Sequence, residues 1–315
     1  YYALSIFSKS SLKSDIYEYL FSDQILIGQS VIGLSHIYFA RSNIKHNENN
    51  YKDSEFFIKK ANQTKALIFT PESYSFIKKS KQLNLELSFL KAVDINPNIN
   101  SSNHIFIVGM PRSGSTLLES ILSMNKNVFD LGEKNILETS YMEWKDQNIK
   151  KESLTEIYRK NIFYNNSALL STDKWLFNYQ YAGLICALMP KAKIVNCFRH
   201  PLDNILSIYR ANFDKRGNHF SSSIEESAML YLDQEDTILK YKSQFPLNIY
   251  LLDYDKLVLN PNFEIRKLIT WFNRDWDDLY SQPHLNKRNI STASCVQARS
   301  PINPNSLGGW RNYKE

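Results

Sequence analysis

The apolar positions of the chain follow two rhythms. Over the first hundred residues they recur at helical spacing, with Leu12, Ile16, Leu20 and Phe21 marking a helix within 12–28. Two more helices are predicted near 29–42 and 51–66, joined by the polar turn Asn43–Asn50, with small Ala40 and Ala61 where the pair would approach closely. Thr70-Pro71-Glu72 reads as an N-cap, a proline at the first helical position and an acidic first turn. The polar run from Asn96 to Asn103 is the strongest linker signal, and it divides a helical segment, 1–100, from the remainder, 101–315.

Beyond the linker, short apolar runs alternate with amphipathic stretches. His104–Val108, Ala168–Ser171, Lys193–Cys197 and Asn248–Leu252 read as strands. Helices are predicted between and after them, near 134–146, 151–163, 178–188, 201–212, 223–242 and 261–273. This alternation predicts an α/β fold: a P-loop-like, three-layer parallel sheet with helices on both faces, preceded by the all-helical segment. Such sheets bind ligands beyond the carboxyl ends of their strands.

Composition narrows the partners. Of 315 residues, 43% are hydrophobic, enough for a sizeable core. The net charge of +6 suits an anionic ligand but falls short of a nucleic-acid-binding surface. Cys186, Cys197 and Cys295 are odd in number and lack metal-ligand spacing, so they read as reduced, buried thiols of a cytoplasmic protein. No apolar run reaches the roughly 18 residues of a membrane span, and no signal peptide is visible. The expectation is a chain without metal, membrane or nucleic-acid partner. Its start at Tyr1 reads as a segment cut from a longer protein.

The chemistry concentrates after the first strand. Gly109-Met110-Pro111-Arg112-Ser113-Gly114-Ser115-Thr116 passes from a strand through a small-residue turn into a helix carrying Leu117, Leu118, Ile121 and Leu122. Helix amides and the positive end of the helix dipole make such a turn an anion site. The spacing is that of a nucleotide phosphate loop, except that Ser115 stands where the lysine belongs and the positive charge sits at Arg112. A guanidinium can hold two oxyanions at once. The second motif runs from Lys193 to Ser207: a strand ends at Arg199, Pro201 opens a helix, and Ser207 lies two turns along it. An arginine and a hydroxyl set this way can grip a second phosphate.

Both motifs in this order resemble the sulfotransferase superfamily, over roughly residues 104–313, two thirds of the chain. Its donor is 3′-phosphoadenosine 5′-phosphosulfate. Pro111, Arg112, Ser113, Gly114, Ser115 and Thr116 are similar to the 5′-phosphosulfate loop of the tyrosylprotein and bacterial tetratricopeptide-linked branches, and Arg199 with Ser207 resembles the 3′-phosphate motif. Tyr254, in Tyr254-Asp255-Lys256-Leu257-Val258, inherits contact with the adenine. Gly308-Gly309-Trp310-Arg311 resembles the Gly-x-Trp-Lys/Arg loop that closes over the 3′-phosphate; Arg299 and Ser306 are candidates for the phosphate contact preceding it. Ser294, in the polar segment Asn289–Pro304, is a further donor-contact candidate. The helix pair at 29–66 resembles a single tetratricopeptide unit, either a buttress or a protein-docking surface.

An in-line sulfuryl transfer needs a base for the acceptor hydroxyl or amine. The resemblance assigns this to Glu133 in Asp130-Leu131-Gly132-Glu133, although Lys134 follows where the tyrosylprotein branch has a second acid. Lys174, in Thr172-Asp173-Lys174-Trp175, matches the lysine of the glutamate-using branches, where its ammonium would stabilise the sulfuryl group; Arg112 would take up charge on the leaving phosphate. The acceptor stays open among a peptide tyrosine, a glycan and a small molecule, because loops without fixed motifs build acceptor pockets. Two alternatives stand beside this reading: a non-catalytic helical-repeat adaptor with a degenerate nucleotide site, and a P-loop kinase.

Overall fold

The apolar runs read as strands fall in one sheet, together with a strand the pattern did not reveal. The computed structural model describes residues 2, 5, 14–90, 103–147, 152–162, 170–213, 218–288 and 295–313. In chain order the elements are α1 (Ser14–Phe21), α2 (Val31–Asn47), α3 (Tyr51–Ala66), α4 (Tyr74–Ser88), β1 (Asn103–Gly109), α5 (Ser115–Leu122), β2 (Val128–Asp130), α6 (Ile136–Lys145), α7 (Leu154–Ile162), β3 (Leu170–Asp173), α8 (Ala182–Leu188), β4 (Lys193–Phe198), α9 (Pro201–Tyr209), α10 (Ile224–Gln244), β5 (Ile249–Asp253), α11 (Tyr254–Leu259), α12 (Pro261–Trp271) and α13 (Cys295–Ala298). Contacts group them into two compact units: one of Ser75–His200 and Leu232–Asn305, the other of Tyr1–Tyr74, Pro201–Tyr231 and Ser306–Glu315.

The first unit holds the sheet. Its order is β2-β3-β1-β4-β5, and every neighbouring pair is parallel. From β1 the chain goes to the edge strand β2, returns to β3 beside β1, then crosses β1 to reach β4 and β5. The topological switch therefore lies at the end of β1. Phe106 stands opposite Asp173, Gly109 opposite Cys197 and Phe198 opposite Asp253. This register brings the loops at Met110, Lys174, Arg199 and Tyr254 to one edge. Alternation along β1 serves two buried faces. Ile105 and Ile107 join Leu118, Ile121, Leu122, Leu257, Ile265 and Leu268 in one core cluster. His104 and Phe106 meet the Tyr158 ring, at 5.0 and 5.4 Å between centroids.

In the second unit α2 and α3 pack through small residues. Ala40 and Ala61 are fully buried. Ser35 donates to the Ala61 carbonyl at 3.1 Å, and Ser42 and Ser54 each donate to the other's carbonyl, at 2.9 and 3.0 Å. Ser30 and Asn50 cap the two helices by accepting the N–H of Gly33 and Asp53.

Several element limits differ from the pattern-based reading. The helix expected over 12–28 stops at Phe21 and gives way to a 3₁₀ turn at Gln24–Leu26. The turn expected at Asn43–Asn50 is half helix, since α2 runs to Asn47. Pro71 does not open a helix: Ser73 donates its N–H to the Glu226 carboxylate at 2.6 Å, which ties the chain down ahead of the start of α4 at Tyr74. The single helix expected at 178–188 is a 3₁₀ turn, Leu176–Tyr181, followed by α8. Cys186 and Cys197 are free, buried thiols, and burial pushes both pKa values up. Among the described residues no helix is long and apolar enough to cross a membrane, and no three or more His, Cys, Asp or Glu side chains are grouped to hold a metal.

Gly183 of α8 marks a tight approach. A Cβ there would lie 2.4 Å from the Tyr241 ring and 2.6 Å from Leu87. In an open helix glycine to alanine gains up to about 1 kcal/mol. Gly183→Ala should instead lose about 1–3 kcal/mol by overpacking. Urea denaturation of the two chains measures the sign.

Candidate functional site

The loop after β1 is built by backbone conformations that few side chains tolerate. Gly109 has φ +140°, and a Cβ on it would fall 2.3 Å from the Cys197 carbonyl oxygen of β4. Only glycine lets the two strands end this close. Arg112 has φ +67° and Gly114 +96°, so the turn coils back before α5 starts. Ser113 closes it by donating its N–H to the Met110 carbonyl at 3.3 Å. Gly114 is the N-cap of α5 and supplies no side-chain acceptor to the helix amides. Pro111, Ser113, Ser115 and Thr116 are buried. The Ser113 hydroxyl is buried and has no hydrogen-bond partner within the chain. The Arg112 guanidinium is half-buried and lies 3.3 Å from Gln297 Oε1.

Tyr254 joins this loop to the second arginine. Its ring occupies the space a Gly114 side chain would need, 2.3 Å from an ideal Cβ. The Arg199 guanidinium sits 5.2 Å from the centroid of the same ring. Asp253 fixes the ring's position by capping α11, accepting the N–H groups of Asp255 and Lys256 at 3.0 and 3.2 Å. His200 is held through its N–H by Asp255 at 3.2 Å. Loop, aromatic plane and arginine thus form one continuous patch.

On the β3 side the ends of two strands hold a charged pair. Leu131 donates to the Thr172 carbonyl at 2.8 Å and Lys174 to the Gly132 carbonyl at 3.1 Å. These bonds set Glu133 beside Lys174, with Nζ 2.6 Å from Glu133 Oε1. The lysine side chain is 1% exposed and the glutamate 40%. Behind the lysine lies Glu119 of α5, 3.8 Å from Nζ and fully buried. Arg288 pairs with Glu119 at 2.7 Å and with Asp130 at 2.8 Å. Burial pushes the Glu119 carboxyl upward, against the pull of Lys174 and Arg288.

Asp173, next to Lys174, is sealed beneath this pair. Tyr158 donates to Oδ2 at 2.6 Å; the Trp175 N–H and the Asn178 amide donate to Oδ1 at 2.9 and 3.1 Å. Burial outweighs these donors and raises the carboxyl to about 7.

The remaining predicted residues belong to the second unit or lie elsewhere. Ser207 is half-buried on α9. One turn before it, buried Asp203 accepts the N–H groups of Gly308 and Trp310 at 2.7 and 3.0 Å. Gly308 has φ +68°, and the Arg311 guanidinium folds back over it and over the Trp310 ring, 5.1 Å from the centroid. Arg299 spends its guanidinium on the Asn286 and Arg288 carbonyls, which brace the loop carrying Arg288. Ser306 is exposed, and Ser294 lies outside the described residues.

Glu119, Arg288, Asp130, Asp173 and Asp203 escaped the sequence reading. Glu119 breaks the apolar face of α5 only by its charge, and its partner is 169 positions away in an aperiodic segment. Asp203 had a signal: an acid in the first turn of a helix, facing the same way as Ser207.

The fold is a doubly wound α/β sheet with a phosphate-type loop at its carboxyl edge. The chain belongs to the sulfotransferase family, whose model matches residues 104–278. It is 29% identical over 237 residues to an uncharacterized protein of Aquifex aeolicus (strain VF5), an alignment that covers 68% of this chain and 31% of that protein. The chain therefore spans less than a third of this relative. Among solved structures it is similar to the sulfotransferase domain from the Synechococcus PCC 7002 olefin synthase, with 18% identity, a TM-score of 0.50 and coverage of 69% of this chain and 90% of that one. The sulfotransferase domain from the curacin biosynthetic pathway gives 18% identity, a TM-score of 0.48 and coverage of 66% and 89%.

Asp173 yields a pH signature. Its folded pKa lies above the unfolded value, so its contribution to stability is present at low pH and is lost as pH rises toward 7. Relative to Asp173→Asn, the native chain should lose about 1.4 kcal/mol per pH unit between pH 5 and 7 and level off above that range. Denaturant titrations at four pH values give the slope. A second outcome concerns Gly114→Ala, whose Cβ must displace Tyr254. It should cost about 1–3 kcal/mol of stability by overpacking and backbone strain, read by denaturant titration.

Proposed function

We propose that residues 101–315 form a sulfotransferase domain that moves a sulfuryl group from 3′-phosphoadenosine 5′-phosphosulfate to an acceptor hydroxyl. The observation that carries this reading is the Tyr254 ring set between Gly114 and Arg199, because it unites three separate anion- and purine-binding motifs in one patch. The orphaned Ser113 hydroxyl and the uncapped start of α5 fit a 5′-phosphosulfate, and the Tyr254 plane fits an adenine. Ser207 and Gly308–Arg311 take the 3′-phosphate by their resemblance to the family motifs.

In the proposed reaction the acceptor oxygen attacks sulfur as the bond from sulfur to the 5′-phosphate oxygen breaks. Adenosine 3′,5′-bisphosphate leaves, and the acceptor proton passes to Glu133. The exposed Glu133 carboxylate suits a base that must reach an incoming substrate, whereas buried Lys174 suits a fixed positive charge beside the transferring group. Their 2.6 Å pairing supports a coupled role: the lysine fixes the orientation of the carboxylate that is to meet the acceptor hydroxyl. Arg112 balances charge on the leaving phosphate.

Calorimetry should show adenosine 3′,5′-bisphosphate binding more tightly than ATP; the reverse order would remove the reading in favour of a kinase. Glu133→Gln should keep nucleotide affinity within a few fold and lower turnover about 10²–10⁴-fold over a panel of hydroxyl acceptors. Arg112→Ala should lower both. Binding without turnover by the native chain across that panel would point to a non-catalytic nucleotide site.

A further inference from the structure

The second unit contains a polar relay that the reaction does not use. Tyr313 ends the 3₁₀ turn Gly309–Tyr313. Its hydroxyl lies 2.8 Å from His46 Nδ1 and 2.9 Å from Ser54 Oγ. Its ring stacks on His46 at 6.0 Å and meets the edge of Tyr51 at 5.6 Å. Arg210, one residue past α9, places Nη1 3.0 Å from His46 Nε2 and its guanidinium carbon 5.8 Å from the Tyr313 ring centroid.

The direction of every bond follows from chemistry. Arginine can only donate, so His46 Nε2 must accept and the imidazole proton sits on Nδ1. That N–H donates to the Tyr313 oxygen. The Tyr313 hydroxyl then donates to Ser54 Oγ, and Ser54 donates to the Ser42 carbonyl at 3.0 Å. The chain runs without a gap from Arg210 to the backbone of α2. Burial and the neighbouring Arg210 lower His46 to about 3, so it stays neutral at working pH.

What the relay holds is the segment assigned to the 3′-phosphate. Asp203 at the start of α9 fastens Gly308 and Trp310, and Tyr313 fastens the far end of the same turn to the α2–α3 pair. The same helix pair also secures the far end of α9: Asn62 donates to the Tyr209 carbonyl and Lys65 to the Phe213 carbonyl, each at 2.9 Å. Resting on the donor assignment above, we propose that Tyr313 is a positioning residue. Through His46 and Ser54 it makes the helical segment set the geometry of Ser207 and Gly308–Arg311, and so tunes affinity for a nucleotide bearing a 3′-phosphate.

The test uses the full chain titrated with adenosine 3′,5′-bisphosphate and, separately, with adenosine 5′-monophosphate. Tyr313→Phe should weaken the bisphosphate about tenfold, the worth of a lost hydrogen-bonded anchor, and leave the monophosphate within twofold. Ser54→Ala should move the same selectivity in the same direction, which guards against misfolding of one variant. Nitrogen-15 NMR of His46 should show a neutral ring protonated on Nδ1 in the native chain and, because Arg210 still donates to Nε2, the same tautomer with a shifted Nδ1 resonance in Tyr313→Phe. Equal weakening of both nucleotides, or none, would overturn the proposal while a native preference for the bisphosphate kept the donor reading. A native chain without that preference would overturn both.

Discussion

The site depends on a side chain that is absent. Gly114 leaves a hollow in the loop after β1, and the Tyr254 ring fills it. Because Tyr254 follows β5 directly, and the Arg199 guanidinium sits 5.2 Å from its ring centroid, the loops after three strands meet at one aromatic ring. The sheet alone would bring these loops to the same edge. The ring fixes them against one another, as a preorganised site requires. A methyl group at position 114 would have to displace aromatic carbons packed against a charged neighbour, with no compensating contact.

A second constraint lies deeper, where Lys174 is enclosed with Glu119, Glu133, Asp130, Arg288 and Asp173. Buried charge is costly unless paired. Here each cation is shared between two carboxylates, and the one acid that lacks a cation, Asp173, is surrounded by donors and shifts toward its neutral form. Glu133 is the most exposed of these acids, and Asp130 is half-buried. The arrangement sets a buried lysine and arginine behind the more exposed Glu133 carboxylate.

The strong local signals of the chain were legible. The turn from Gly109 to Gly114, the strand that ends before Arg199 and the Pro201 helix, and Tyr254 after an apolar strand lie where their residue types and spacing put them, and four of the five described strands show as apolar runs. What was hidden depends on distance. β2 is three residues of intermediate burial, and it is a strand only because β3 lies beside it. Pro71 has the chemistry of a helix start, but Glu226, remote in sequence, claims the following amide. Glu119 and Arg288, like Tyr313 and His46, are ordinary residues until the fold brings them together. No periodicity encodes such pairs.

The Tyr313–Ser54 contact spans 259 residues of sequence. A ribosome must therefore add 259 residues after Ser54 before the α2–α3 pair meets Tyr313. Until then the surface that accepts Tyr313 is open, and β1 likewise waits for β4 to emerge. Closures of such long range are slow and leave partly built states exposed to association. The order of synthesis thus makes the Gly309–Tyr313 turn a late latch on its helical unit.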